Sequence, residues 1–379
     1  MDIGKNPKTG KRHQETKGGF KTKQEAEAAA SALITEVNQG TFVKESDILF
    51  KDFANNWLPL YIERNGPKPG TIRLRQYGIN KLSAYFAHLK LKNITEEMYQ
   101  AALNDLKDQK LARSTIEGIH TTGKLLFKMT VNKKMLKIDP TVNAYIKKDK
   151  QSIIDSDEEE LPKYFEKEDL ALFLDTVSEK GLYMDDLIFT TLSYTGMRVG
   201  EIVALKWKDV DFDKHTIHIT KTYYNPKNNT TKYQLVPPKT RKSRRKIMVD
   251  ELVIEAFKKH KEEQEKIITH LGNFYSDNGF ILANVNRHPG YPILIKVVES
   301  RMARLLKLGK LNPKLTPHSL RHTHTSLLAE AKVGIDEIMD RLGHIDDEVT
   351  RKVYLHVTTK MKKDASDKFS NLMRGFKKY

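Results

Sequence analysis

Thr316-Pro317-His318-Ser319-Leu320-Arg321-His322-Thr323, then Arg341-Leu342-Gly343-His344, then Thr350-Arg351-Lys352-Val353-Tyr354-Leu355-His356 is the stretch that decides how this chain is read. It holds one His-x-x-Arg, a second histidine, and a tyrosine ten residues beyond it. These residue types could hold a phosphodiester and attack it. Thr316 is a helix cap and Pro317 suits a first helical turn, so His318 and Arg321 share one face at a helix entrance. Upstream, Thr195-Gly196-Met197-Arg198-Val199-Gly200-Glu201 places another arginine at the start of an apolar, helix-like run.

Phosphodiester cleavage builds negative charge on the non-bridging oxygens as phosphorus becomes five-coordinate. Arginine suits that charge, because its planar fork bonds two oxygens at once and stays protonated. Arg198 and Arg321 are the candidates, and a helix start at Arg198 would add a dipole that favours anions. His318 titrates near neutrality and could accept a tyrosine proton or hold a phosphoryl oxygen. Gly343 permits a turn that brings His344 inward. Tyr354, chosen by context from 15 tyrosines, would be the nucleophile. Its ordinary pKa of about 10 means it needs a nearby base and positive charge to lose its proton. A leaving 5′ oxygen needs a proton donor, and Pro238-Lys239-Thr240-Arg241-Lys242-Ser243-Arg244-Arg245 offers Lys239, with Lys242 and the nearby Lys232 as competitors. Glu201, three residues after Arg198, could orient it. Taken singly, each residue has a plainer reading: a helix-cap arginine, a packed histidine, a core tyrosine, a solvated loop lysine.

Taken in order, the set Arg, His-x-x-Arg, His, Tyr resembles the tyrosine recombinase family, the integrases of phages and mobile elements. The resemblance implies a site-specific DNA recombinase that works without metal, nucleotide or other cofactor. Tyr354 would attack the scissile phosphate to form a 3′-phosphotyrosyl link and free a 5′-hydroxyl. Arg198, Arg321, His318 and His344 would stabilise the transition state, and Lys239, on the β-hairpin where the family carries its lysine, would protonate the leaving oxygen. A partner strand's 5′-hydroxyl then reverses the step. The resemblance further implies a homotetramer acting on two double-stranded DNA attachment sites through a Holliday junction. A host DNA-bending protein and an excisionase complete the partners it allows.

Composition agrees with a polyanionic partner: the 379 residues carry a formal net charge of +17, and basic chains favour nucleic acid. There is no cysteine, so disulfides and thiolate metal sites are excluded, which suits a reducing compartment. No apolar run approaches the roughly 20 residues that cross a bilayer. The chain reads as cytoplasmic, acting on DNA rather than at a membrane.

The expected organisation is multidomain, mainly α with α+β parts. Residues 1–45 form a small basic unit, with turn chemistry at Asn6-Pro7-Lys8-Thr9-Gly10-Lys11 and a helix capped by Thr22. A hairpin plus one helix resembles an arm-type DNA-binding domain, although the abrupt start leaves little room for a first strand; a disordered basic tail is the alternative. Residues 46–147 read as a helical core-binding bundle, with Phe53, Trp57, Leu60 and Tyr61 on one face and Thr71 opening the next helix. A purely structural bundle fits the same pattern. Residues 148–163 read as a charged linker. Residues 164–379 form the α+β catalytic domain, with paired strands at Thr216–Thr220 and Arg245–Val249 and a long polar loop from Tyr223 to Arg244 between them. Lys17, Lys21, Arg73, Arg75, Arg113, Lys242 and Arg244 are the candidate DNA contacts. The C-terminal tail, with Phe369, Leu372 and Phe376 on one face, would pack on a neighbouring subunit as in relatives, or on its own domain.

His318, His322, His324 and His344 could suggest a metal site, but arginines are poor company for a cation. No glycine-rich phosphate loop is present, so ATP is not implied. A topoisomerase would share the chemistry without needing an arm domain. A silent DNA-binding regulator would have no reason to keep the nucleophile.

Overall fold

The structure, a computed structural model, describes residues 2–5, 12–14, 18–39, 43, 46–147, 163–238, 243–343 and 348–376. Contacts divide the chain into two units, Met1–Asp157 and Glu158–Tyr379.

In the first unit, β1 (Asp2–Lys5) pairs antiparallel with β2 (Arg12–Gln14). A first strand is therefore present, contrary to the expectation that the start leaves little room for one; a few residues suffice for a short strand. Helix α1 (Lys23–Asn38) begins where Thr22 Oγ1 accepts the Glu25 N–H at 3.2 Å. The bundle follows as α2 (Phe50–Asn65), α3 (Pro69–Phe86), α4 (Glu96–Asp108) and α5 (Arg113–Asn132). Pro69, not Thr71, opens α3, since its missing N–H needs no partner in a first turn. Phe50, Ala54 and Trp57 centre the buried stripe of α2, and Leu60 falls at its rim, 42% exposed, rather than in the core. Phe50, Phe86, Tyr99 and Phe127 interlock between the helices, with Tyr99 edge-on to Phe127 at 5.9 Å. Helices α3 and α5 approach closely because Gly78 lacks a Cβ that would lie 2.6 Å from Thr122 Oγ1.

The second unit builds its core from α6 (Lys167–Lys180), α7 (Asp185–Thr195), α9 (Glu251–Leu271) and α10 (Ile295–Leu308) around a small sheet. Helix α8 (Val199–Val203) is only five residues long, so the helix expected after Arg198 is a single short turn. The sheet order is β3 (Val210–Asp211), β4 (Thr216–Ile219), β7 (Arg245–Met248), all antiparallel, with Ile217 opposite Ile247 and Ile219 opposite Arg245. The segment expected as one long polar loop carries a second hairpin, β5 (Thr222–Tyr224) paired with β6 (Gln234–Val236). Its polar residues are turn chemistry: Asn225 Nδ2 donates to the Asn229 carbonyl and Asn225 Oδ1 accepts the Asn229 N–H. The chain ends with α11 (Pro317–Glu330), α12 (Ile335–Leu342) and α13 (Glu348–Phe376). Helix α13 runs unbroken through the tail segment, where Phe369 and Met373 are exposed. The side chains of Leu372 and Phe376 lie outside the described residues, as does nearly all of the expected linker. No described helix is long and apolar enough to cross a membrane.

Candidate active site

Gly196 ends α7 in the left-handed region at φ 61°, where only glycine sits without strain. A Cβ there would lie 2.7 Å from Leu342 Cδ2 and 2.8 Å from His324 Cδ2, so the residue choice also lets two segments meet. Arg321 occupies the junction, 2% exposed. Its Nη1 donates to the Gly196 carbonyl at 2.6 Å and its Nη2 to the Leu342 carbonyl at 2.7 Å. Those carbonyls close the C-terminal ends of α7 and α12, where the negative ends of two helix dipoles favour a cation. One buried guanidinium thus ties the turn before Arg198 to the turn before His344.

Arg198 caps α8, its backbone N–H donating to Glu201 Oε2 at 3.0 Å and its Nη1 to Glu201 Oε1 at 3.1 Å. The Arg198 side chain is 36% exposed while that of Glu201 is 3% exposed. Glu201 meets a second arginine, Arg245, whose Nη2 donates to Oε2 at 3.0 Å and Nη1 to Oε1 at 3.3 Å. Burial pushes the Glu201 carboxyl up, but Arg245 first and Arg198 second outweigh it and hold the group below its ordinary value.

Thr316 caps α11 and Pro317 stands in the first turn, as the sequence predicts, and the Thr316 N–H donates to Ser319 Oγ at 3.1 Å. His318 is exposed there, and its ring meets that of His322 edge-on at 4.7 Å. Among the described residues no three His, Asp or Glu side chains are placed to hold a metal. Tyr354 lies on α13, half-buried against the cluster of Ala329, Ile338, Leu342 and Val357, and α13 packs along α11.

His344, Lys239 and Lys242 lie outside the described residues, as does Lys17. Their flanks are placed: Ser243 Oγ donates to the Gly343 carbonyl at 3.0 Å, so the end of the lysine loop meets the turn before His344. Of the other candidate contacts, Lys21, Arg73 and Arg244 are exposed. Arg113 pairs with Glu117 at 2.9 Å, and Arg75 is half-buried with Nη1 donating to Thr122 Oγ1 at 3.1 Å.

Three residues at the site went unassigned in the sequence reading: Arg245, His324 and Arg341. His324 is buried, its Nδ1 within 3.0 Å of the Ser193 carbonyl and its Nε2 accepting from Arg341 Nε at 3.1 Å. Burial, then the charge of Arg341, lowers its pKa to about 3. Arg341 Nη1 and Nη2 donate to the Met248 and Tyr194 carbonyls. Arg245 carried a legible signal, because it lies two residues from buried Ile247 in a strand and so shares its inward face.

Residues 163–361 match the phage integrase family. The chain belongs to that family. Residues 1–37 match the arm DNA-binding domain and residues 49–107 the phage integrase N-terminal SAM-like domain. The integrase of Staphylococcus phage L54a is 37% identical over 179 residues, a match spanning 47% of this chain and 49% of that one, about half of each. The ICEBs1 integrase of Bacillus subtilis (strain 168) is 24% identical over 98% of this chain and 96% of its own length. The XerC-like tyrosine recombinase of Caldanaerobacter subterraneus is 28% identical over 93% and 90%. Among solved structures, the Tn1549 transposon integrase in complex with transposon right end DNA superposes with a TM-score of 0.67 at 20% identity, covering 85% of this chain and all of that one. The lambda integrase tetramer bound to a Holliday junction gives 0.55 at 17% identity, covering 92% and 90%. The fold is therefore that of the tyrosine recombinases: an arm DNA-binding domain, a SAM-like helical domain and a catalytic domain. The chain is a tyrosine recombinase of the phage integrase family.

Proposed function

We propose that the chain integrates or excises a mobile DNA element by cutting and rejoining its attachment sites through a covalent 3′-phosphotyrosyl intermediate. Tyr354 Oη attacks the scissile phosphorus and the bond to the 5′ oxygen breaks. Lys239 gives that oxygen its proton, and His318 takes the proton of the tyrosine. Arg198, Arg321 and His344 hold the non-bridging oxygens, where preorganised donors contribute most to the rate. Attack by the 5′-hydroxyl of another strand reverses the step, and the bond energy stays in the phosphotyrosine.

The observation that carries the reading is the junction at Arg321, whose guanidinium reaches both the Gly196 and Leu342 carbonyls. It draws together three motifs that are far apart in sequence. The packing of α13 along α11 in one chain supports each subunit cutting its own site. The exposed Phe369 and Met373 support a tail that packs on a neighbouring subunit, within a homotetramer on two sites. The exposed Lys21, Arg73 and Arg244 suit phosphates, which position DNA without reading its sequence.

The test is covalent trapping. DNA from the ends of the element that encodes the chain is labelled on the 3′-phosphate side of the cut, incubated with protein and denatured. Label that migrates with protein and is released by protease supports the reading. Label that remains free, with tight binding retained, would support a silent DNA-binding regulator.

A further inference from the structure

We infer that Arg245 is the positioning residue of the cleavage site: through Glu201 it holds Arg198, and through two carbonyls it ties in the segments that lead to His344 and Lys239. The inference rests on the assignment of Arg198, His344 and Lys239 proposed above.

Arg245 lies on β7 opposite Ile219 and in phase with buried Ile247, so its side chain enters the domain. That side chain is 6% exposed. All three of its nitrogens donate inside the protein: Nε to the Arg341 carbonyl at 2.8 Å, Nη1 and Nη2 to the Glu201 carboxylate, and Nη1 also to the Ser243 carbonyl at 3.3 Å. Its bonds run to the segments around it, which is how it acts on their placement. Gly343 leaves the space it occupies, since a Cβ there would lie 3.1 Å from Arg245 Cδ.

The charges explain why the site needs it. Glu201 is a buried carboxylate shared by two arginines, one buried and one 36% exposed. With Arg245 in place, the carboxylate is answered from within the domain as well as by the partly exposed Arg198. Without it, among the described residues Glu201 is left with Arg198 to answer its charge and draws that guanidinium inward. The Arg341 and Ser243 carbonyls would lose their shared donor in the same event, loosening the turn before His344 and the end of the lysine loop. A planar fork can serve carboxylate and carbonyls at once, whereas a lysine ammonium cannot reproduce that geometry.

The test compares full-length wild type, Arg245→Lys, Arg245→Gln, Glu201→Gln and the Glu201→Gln/Arg245→Gln double variant, with Tyr354→Phe as control. A nicked duplex from the element's ends reports the single-turnover rate of covalent adduct formation at saturating protein; the intact duplex reports Kd. Both Arg245 variants are expected to keep the wild-type Kd and lose about 10²-fold in rate, the scale of a small misplacement of catalytic groups. The double variant should be no slower than the slower single variant, because both act through one contact. Wild-type rates in the Arg245 variants, a Kd that weakens in step with the rate, or losses that multiply in the double variant would overturn the inference. If Arg245→Gln does not fold, Arg245→Lys carries the same criteria. A wild type that forms no adduct, or a Tyr354→Phe that does, removes instead the underlying assignment of the site.

Discussion

Arg321 Nη1 donates to the Gly196 carbonyl across 2.6 Å, joining the helix of the His-x-x-Arg motif to the turn that delivers Arg198. A buried cation that bonds the carbonyls of two helix ends is a structural and a chemical commitment at once. Arg321→Ala leaves two buried carbonyls without their donor. Each such loss costs about 1–3 kcal/mol, so the catalytic unit should be destabilised by roughly 2–6 kcal/mol. The chain's two tryptophans are Trp57 and Trp207, so urea unfolding followed by Trp207 fluorescence in a Trp57→Phe background reads this unit. An unchanged midpoint would mean the two carbonyls are satisfied another way.

Gly196→Ala should be costly without touching any proposed catalytic group. The new Cβ would lie within 2.8 Å of both Leu342 and His324 at a φ of 61°. Left-handed strain and overpacking each cost about 1–3 kcal/mol, giving an expected loss of roughly 2–6 kcal/mol in the same assay. Covalent adduct formation should fall as well, since Arg321 and Arg198 both depend on that turn.

Acid should destabilise the catalytic unit through His324. Its pKa is lowered from 6.5 to about 3 on folding, so the unfolded chain binds more protons between those values. The stability from keeping it neutral is complete above the unfolded pKa and is lost progressively as pH falls. The slope contributed by one such group is at most about 1.4 kcal/mol per pH unit. His324→Gln can still accept from Arg341 but does not titrate. The stability gap between wild type and the variant should therefore narrow as pH falls from about 6 to 4; parallel profiles would rule His324 out as the cause. The lowered Glu201 pKa has the usual carboxylate sign, with its stability present above 4.5 and lost below it as the group protonates.

Arg73 and Arg75 should separate in a salt titration of DNA binding. Arg73 is exposed and Arg75 is half-buried against Thr122. Arg73→Ala should reduce the slope of log K against log salt by about 0.9, one phosphate contact, with bundle stability unchanged. Arg75→Ala should destabilise the bundle through the lost packing of its stem as well as the lost bond to Thr122. Equal effects of both on stability would contradict the assignment.

What the sequence made legible was local. Thr22, Thr316 and Pro317 mark helix starts because caps and first turns are decided by neighbours in sequence. The ion pair of Arg198 with Glu201 spans three residues and was readable for the same reason. Arg245 reaches Glu201 across 44 residues and the Arg341 carbonyl across 96, and no periodicity announces such a pairing. Leu60 shows the same limit from the other side: helical spacing places it near the apolar stripe, but only packing decides that it falls at the rim. The hairpin of β5 and β6 was hidden because its turn is rich in asparagine and lysine, and that composition swamped two short strands.

The measurement that tests the proposed mechanism most directly sets wild type beside Tyr354→Phe on a nicked suicide duplex carrying the element's own end, resolved on a denaturing gel. A covalent band from wild type, absent from Tyr354→Phe although that variant binds the duplex with the wild-type Kd, is the predicted result. A band from both proteins would move the nucleophile to another tyrosine and contradict the assignment of the site.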